Sequence, residues 1–159
     1  MPPTAVELDE SWLDDMYGWL TDPVVNDLAR VGPVTREGQR RWWDGLPGRD
    51  DFWIRGIVND GARVGAFGLR HIDAYSAEVF SYLGESSARG AGIGRWSLLC
   101  CEEEAARRGM VRVWGIVAPH NAASRKMLRG LGYVTVGTYS DGGIFIEKLV
   151  PGRVVGDQP

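Results

Sequence analysis

Cysteine is nearly absent: two in 159 residues, Cys100 and Cys101, side by side. Adjacent side chains on a helix point in different directions and cannot form an ordinary bridge, so both thiols are expected to be reduced. An acyl-cysteine mechanism needs a basic partner; Glu102, Glu103 and Glu104 follow instead, and packing is the expected role. No apolar run approaches the length of a membrane span, and Met1-Pro2-Pro3-Thr4 lacks the charged and apolar regions of a signal peptide. No membrane partner is therefore expected, and the cytoplasm is the default location. Positive charge is not in excess either, and a net charge of −3 argues against a sequence-independent grip on nucleic acid. There is no internal repeat and no low-complexity linker, and no metal site is expected.

What is present is ordinary for a globular protein: 44% hydrophobic and 25% charged residues, in a length that suits one domain, residues 1–150, followed by a flexible tail, 151–159. Thr4 to Leu8 reads as a short strand. Glu10 to Leu20 reads as a helix with Trp12, Leu13, Met16, Trp19 and Leu20 near helical spacing, capped by Ser11 or Asp9. Thr21-Asp22-Pro23 is a breaker leading into a turn or short helix, and a second helix runs from Thr35 to the Pro47-Gly48 stop. Phe52 to Val58 and Arg63 to Ile72 form an antiparallel pair around Asn59-Asp60-Gly61. A strand from Ala77 to Leu83, a helix from Gly92 to Arg108, a strand from Val111 to Val117 and a helix from Asn121 to Leu131 follow. The long helix carries Glu103/Arg107 and Glu104/Arg108 at the spacing of ion pairs. A final hairpin pairs Val134 to Tyr139 with Ile144 to Leu149.

The segment between the fourth predicted strand and its helix is Arg89-Gly90-Ala91-Gly92-Ile93-Gly94. Glycines let the backbone approach a phosphate, and the open N–H groups and positive dipole end of the next helix then face the charge. A dinucleotide fingerprint would need a third glycine where Arg95 stands, and the nucleotide P-loop would need a Gly-Lys-Ser/Thr that is missing. What fits is R-x-x-G-x-G, with Asn121-Ala122-Ala123-Ser124 about 30 residues later and Gly132-Tyr133 beyond. In these two motifs the chain resembles the GNAT superfamily of acetyl-CoA-dependent N-acetyltransferases, and the element order agrees from end to end.

The resemblance implies an α/β fold: a single mixed, mostly antiparallel sheet with a splayed central parallel pair and helices on both faces. It implies acetyl-CoA as cofactor, its pyrophosphate on Arg89, Gly90, Ala91, Gly92, Ile93 and Gly94, and its pantetheine arm between the strands 77–83 and 111–117. Asn121 and Ser124 would contact that arm, Asn121 also fitting as a helix N-cap. Backbone N–H groups around Tyr82, Leu83 and Gly84 would face the thioester oxygen. For proton removal Glu78 shares a strand face with Phe80 and Tyr82, and His71 and Asp73 are rivals at the end of the preceding strand. One departure stands out. Many relatives carry a tyrosine four residues after the motif serine as acid for the departing sulfur; here it is Leu128, so Tyr82, Tyr133 or Tyr139 replaces it, or coenzyme A leaves as thiolate.

The partner implied is a small-molecule amine, used by a monomer or homodimer. Tyr17 to Val25 and Thr35 to Trp43 look like segments of aminosugar acetyltransferases that act on nucleotide-linked sugars, and share part of their pattern with ribosomal-protein N-terminal acetyltransferases. Trp19, Trp42 and Trp43 offer stacking surface or core packing, and Arg40 and Arg41 a phosphate contact or a solvated face. Antibiotic- or toxin-modifying acetyltransferases and non-catalytic acyl-CoA-binding proteins are the remaining classes.

Overall fold

Asp60 and Gly61 both take positive φ, 50° and 78°, as a two-residue hairpin loop of the type that matches strand twist requires. They join strand β2 (Phe52–Asn59) to β3 (Ala62–Arg70) in antiparallel register. In the computed structural model, which describes residues 1–150, this hairpin belongs to one seven-stranded sheet of order β1-β2-β3-β4-β5-β7-β6. The other strands are β1 (Thr4–Val6), β4 (Ser76–Leu83), β5 (Arg112–Val117), β6 (Val134–Thr138) and β7 (Ile144–Leu149). Every neighbouring pair is antiparallel except β4 and β5. The mixed α/β architecture expected from the sequence is the one observed. The tail expected from Pro151 onward lies outside the described residues.

Helix α4 (Ile93–Arg107) lies on one face against β3, β4 and β5. Phe67, Leu69, Val113 and Cys101 are wholly buried there, each large apolar side chain contributing roughly 1.5–3 kcal/mol by leaving water. Cys101 donates its thiol to the Gly68 carbonyl at 3.3 Å. Burial pushes both cysteine thiols up, which leaves them protonated and in a packing role. Buried Glu102 of α4 holds Lys148 of β7 at 2.9 Å, pinning the helix to the far strand. On the solvent side Glu104 takes both Arg107 and Arg108, in place of the expected Glu103/Arg107 pairing.

The opposite face carries a second cluster, Trp12, Met16, Trp19 and Val25, packed on Ile54 and Tyr82 of the sheet. Here the helices differ from the sequence reading. Asp9, not Ser11, is the cap, accepting from Ser11 N at 2.9 Å, and it starts a 3-10 turn (Glu10–Trp12) before α1 (Leu13–Thr21). The segment after Pro23 is a helix, α2 (Pro23–Ala29), so three helices rather than two separate β1 from β2, the third being α3 (Arg36–Gly45). Asp22-Pro23 interrupts α1, yet the Asp22 carboxylate accepts from Val24 N and Val25 N at 2.8 and 3.4 Å and proline fills the first helical position. The same dipeptide ends one helix and starts the next. From α2, Asp27 reaches His120 at 2.6 Å and Arg30, just past the helix, reaches Asp141 at 2.7 Å.

Trp12 lies directly on the backbone of β2: a Cβ on Gly56 would stand 2.4 Å from its ring. Gly56→Ala should therefore destabilise the fold by about 1–3 kcal/mol, the usual cost of overpacking, measured as a lowered midpoint in urea unfolding.

Candidate active site

Strands β4 and β5 pair only at Ser76–Arg112, Ala77–Val113 and Glu78–Trp114. Beyond Glu78 they part, and a cavity of about 460 Å³ occupies the gap. Gly84 donates to the Val64 carbonyl at 2.9 Å. By the alternation of an antiparallel ladder, the N–H groups of Tyr82 and Phe80 then also turn toward β3, and those of Leu83 and Ser81 face the gap, that of Val79 being taken up in the Glu78–Trp114 pair. This corrects the expected donors. The N–H of Gly84 is already bonded and that of Tyr82 points away, whereas Ser81, which sequence reasoning did not single out, joins Leu83 with its N–H directed to the gap. Backbone groups in such a position must find a partner, and an extended amide-bearing chain supplies one.

The glycine loop closes one end. Gly90 and Gly92 hold φ of 78° and 80°, and Gly92 is the N-cap of α4 with no side chain capping the helix. The first-turn N–H groups and the positive dipole end are left open toward the cavity. Ser97 fixes this turn, bonding the Gly94 carbonyl at 2.8 Å and the Ser81 hydroxyl of β4 at 2.7 Å. Helix α5 (Ala122–Gly130) forms the other wall; Asn121 caps it through Ser124 N at 3.2 Å, and Asn121, Ser124 and Leu128 line the cavity. Val25, Leu28 and Ala29 of α2, the short-helix alternative for this segment, cover it, a wall that the sequence reading did not place at the site.

Of the expected residues, Glu78, Tyr82 and Leu83 line the cavity on β4, and Arg89, Gly90, Gly92, Ile93 and Gly94 at the loop. Ala91 and His71 do not line it. Nor does Gly84, whose backbone carries the Trp19 ring so closely that a Cβ would lie 2.0 Å away. An anion cradle, a slot edged by unpaired strand N–H groups and a carboxylate at its base fit a pyrophosphate-bearing acyl thioester. Held there, it would supply an activated acetyl group.

Two side-chain arrangements complete the site. The Glu78 carboxylate, 4% exposed, takes Arg70 Nε at 2.9 Å and Nη2 at 2.8 Å, and meets His71 Nδ1 at 2.8 Å. Arg70 was not anticipated: counting back symmetrically from Asp73 and Ser76 would set His71 opposite Glu78, and the observed register is one residue away, with Arg70 there. Tyr82, in contrast, has a buried hydroxyl without a partner, and burial pushes its pKa up, keeping it a donor. Tyr133 is a core residue against Glu102 and Lys148, and Tyr139 is exposed at the end of the last hairpin.

On the face shared by Glu78, Phe80 and Tyr82, aromatic rings form two runs. Trp42, Phe52 and Phe80 meet at 6.2 and 5.7 Å between centroids, and His71, Trp114, Phe145 and Tyr139 at 6.0, 5.4 and 6.2 Å. Carboxylates around them are engaged: Asp51 with Arg49, Glu147 with Arg112, Asp141 with Arg30, and Glu85 with the Trp19 indole. Arg40 is spent on Glu10 and Asp44.

A family model described as acetyltransferase (GNAT) domain matches residues 5–134. Among solved structures, the chain is similar to spermidine N-acetyltransferase from Vibrio cholerae in complex with CoA and spermine, at 13% identity and TM-score 0.84, covering 93% of this chain and 95% of that one. Ribosomal-protein-alanine N-acetyltransferase from Brucella melitensis is 26% identical with TM-score 0.72, covering 94% and 99%. Aminoglycoside acetyltransferase AAC(6')-Ib, in complex with coenzyme A, is 15% identical with TM-score 0.76, covering 92% and 94%. No curated protein sequence gives a significant match.

A Cβ at Gly94 would meet Met127 Sδ only at 3.5 Å, an ordinary contact. Gly94→Leu is expected to keep the fold and weaken coenzyme A binding at least about tenfold by crowding the helix N-terminus, read by calorimetry. Tyr82→Phe removes a buried donor that has no partner in the free protein, so its unfolding midpoint should hold or rise, while acetyl transfer slows. A lowered midpoint in the free protein would mean that the hydroxyl is already bonded.

Proposed function

The chain belongs to the GNAT acetyltransferase family and is an acetyl-CoA-dependent N-acetyltransferase, and on that premise we propose that its acceptor is the primary amine of an aminosugar, free or nucleotide-linked, which attacks directly within a ternary complex. The observation that carries this reading is the acceptor face: two aromatic runs flank Glu78, and the carboxylates around them are engaged by arginine, histidine or indole partners. Flat apolar rings suit the C–H face of a sugar. A polyamine or aminoglycoside is a polycation and calls for free acidic groups, whereas the carboxylates named beside these rings are each paired.

Proton removal falls to the Glu78–His71 pair at the base of the gap. Tyr82, with Leu128 at the place of the family tyrosine, is the side chain that supplies a hydrogen bond or proton to the departing sulfur. A peptide amino terminus is the second reading, favoured by the likeness to the Brucella melitensis ribosomal-protein-alanine enzyme.

The test is acetyl-CoA consumption against aminosugar nucleotides, free aminosugars, amino acids, peptide amino termini, polyamines and aminoglycosides. An aminosugar is expected to give a kcat/KM at least about tenfold above any polycation, equivalent to about 1.4 kcal/mol of transition-state discrimination. A polyamine or aminoglycoside at the head of the series would overturn the acceptor assignment, and a peptide at its head would replace it by the second reading.

A further inference from the structure

We propose that His71, rather than Glu78, is the group that accepts the proton of the acceptor ammonium, and that Glu78 is a positioning residue that holds its ring. The inference rests on the acetyl-transfer reading but not on the identity of the acceptor.

Glu78 is too fully engaged for the task. Its Oε1 takes Arg70 Nη2, and its Oε2 takes Arg70 Nε and meets His71 Nδ1, all within 2.9 Å. With 4% of the side chain exposed and both oxygens taken, an added proton would have to displace one of these partners. His71 has the complementary properties. An ionised carboxylate only accepts, so Nδ1 carries the hydrogen of that contact and the lone pair lies on Nε2. The side chain is 66% exposed, which gives the proton an exit.

The backbone points the same way. His71 holds φ of 51°, a left-handed conformation that costs a non-glycine residue about 1–2 kcal/mol. A histidine kept there must be held by its surroundings, and such strain concentrates at functional positions. The hold is visible: the ring contacts Glu78 at one edge and lies nearly parallel to the Trp114 indole, 8° between planes. Trp114 is the β5 partner of Glu78 in the last pair before the strands separate, so the ring stands beside the base of the gap. The charged groups around it are Glu78 and Arg70, Asp51 chelated by Arg49, Asp73 in the following turn, and Arg112 with Glu147 beyond Trp114.

The step balances as follows. The acceptor enters as an ammonium and loses one proton to His71 Nε2, through water where the acceptor does not reach the ring. Its freed lone pair forms the C–N bond to the acetyl carbon, the C–S bond breaks with its electrons on sulfur, and the imidazolium returns its proton to solvent.

The experiment compares pH profiles of kcat/KM for the wild type, His71→Gly and Glu78→Gln, using the amine with the highest turnover. Glycine suits the positive φ, so His71→Gly removes the ring without adding strain. Expected are an acid limb in the wild type and its loss in His71→Gly with kcat down about 10²-fold. Coenzyme A affinity should be unchanged, and added imidazole should restore part of the rate. In Glu78→Gln the limb should survive, because the accepting Nε2 is still present. Loss of the limb in Glu78→Gln with its retention in His71→Gly overturns the proposal and leaves acetyl transfer intact. A wild type that binds coenzyme A but acetylates no amine overturns the acetyl-transfer reading and this proposal with it.

Discussion

The separation of β4 from β5 after the Glu78–Trp114 pair is the constraint on which the rest of the molecule depends. A parallel pair that continued would satisfy its own backbone and leave no room. Because it stops, strand N–H groups on one side face a cavity, and the gap must be walled by other elements. The glycine loop and α4 close one end, α5 one flank, and α2 the cover. The sheet tolerates the break because it is anchored on both sides, by the β2–β3–β4 ladder on one and by β7 against β5 on the other. The Glu102–Lys148 pair adds a tie from α4 to β7 that does not cross the gap.

Much of this was legible in the chain, and for physical reasons. Strand and helix periodicity, Asn59-Asp60-Gly61 and the glycine loop are local signals, and local chemistry decided them. What was not legible depends on partners distant in sequence. Asp22-Pro23 carries both a stop and a start, and composition alone does not say whether a helix follows; packing of Val25 against the Trp12–Trp19 cluster does. The N–H of Gly84 fits a site donor by position, but its use is decided by Val64 across the ladder. Arg70 looks like a strand-end solvated charge until the register sets it opposite Glu78.

The charged residues of the acceptor face repeat one theme: opposite charges meet in pairs, most of them across elements. Arg112 and Glu147 join β5 to β7, and Arg70 and Glu78 join β3 to β4. Partly exposed pairs of this kind add little stability individually. Their larger effect is to leave aromatic rings, rather than unpaired charges, beside Glu78.

Strand β4 divides its residues by parity. The odd positions Ser81 and Leu83 present backbone to the gap, and Ser81 also anchors the loop helix through Ser97; the even positions Glu78, Phe80 and Tyr82 present side chains to the face away from α4. Backbone donors are the same for any residue other than proline. A substitution at an even position such as Phe80 therefore changes the side chains on that face while the backbone groups directed to the gap stay the same. A single strand read in alternate steps lets one half of a two-substrate enzyme diversify without the consent of the other.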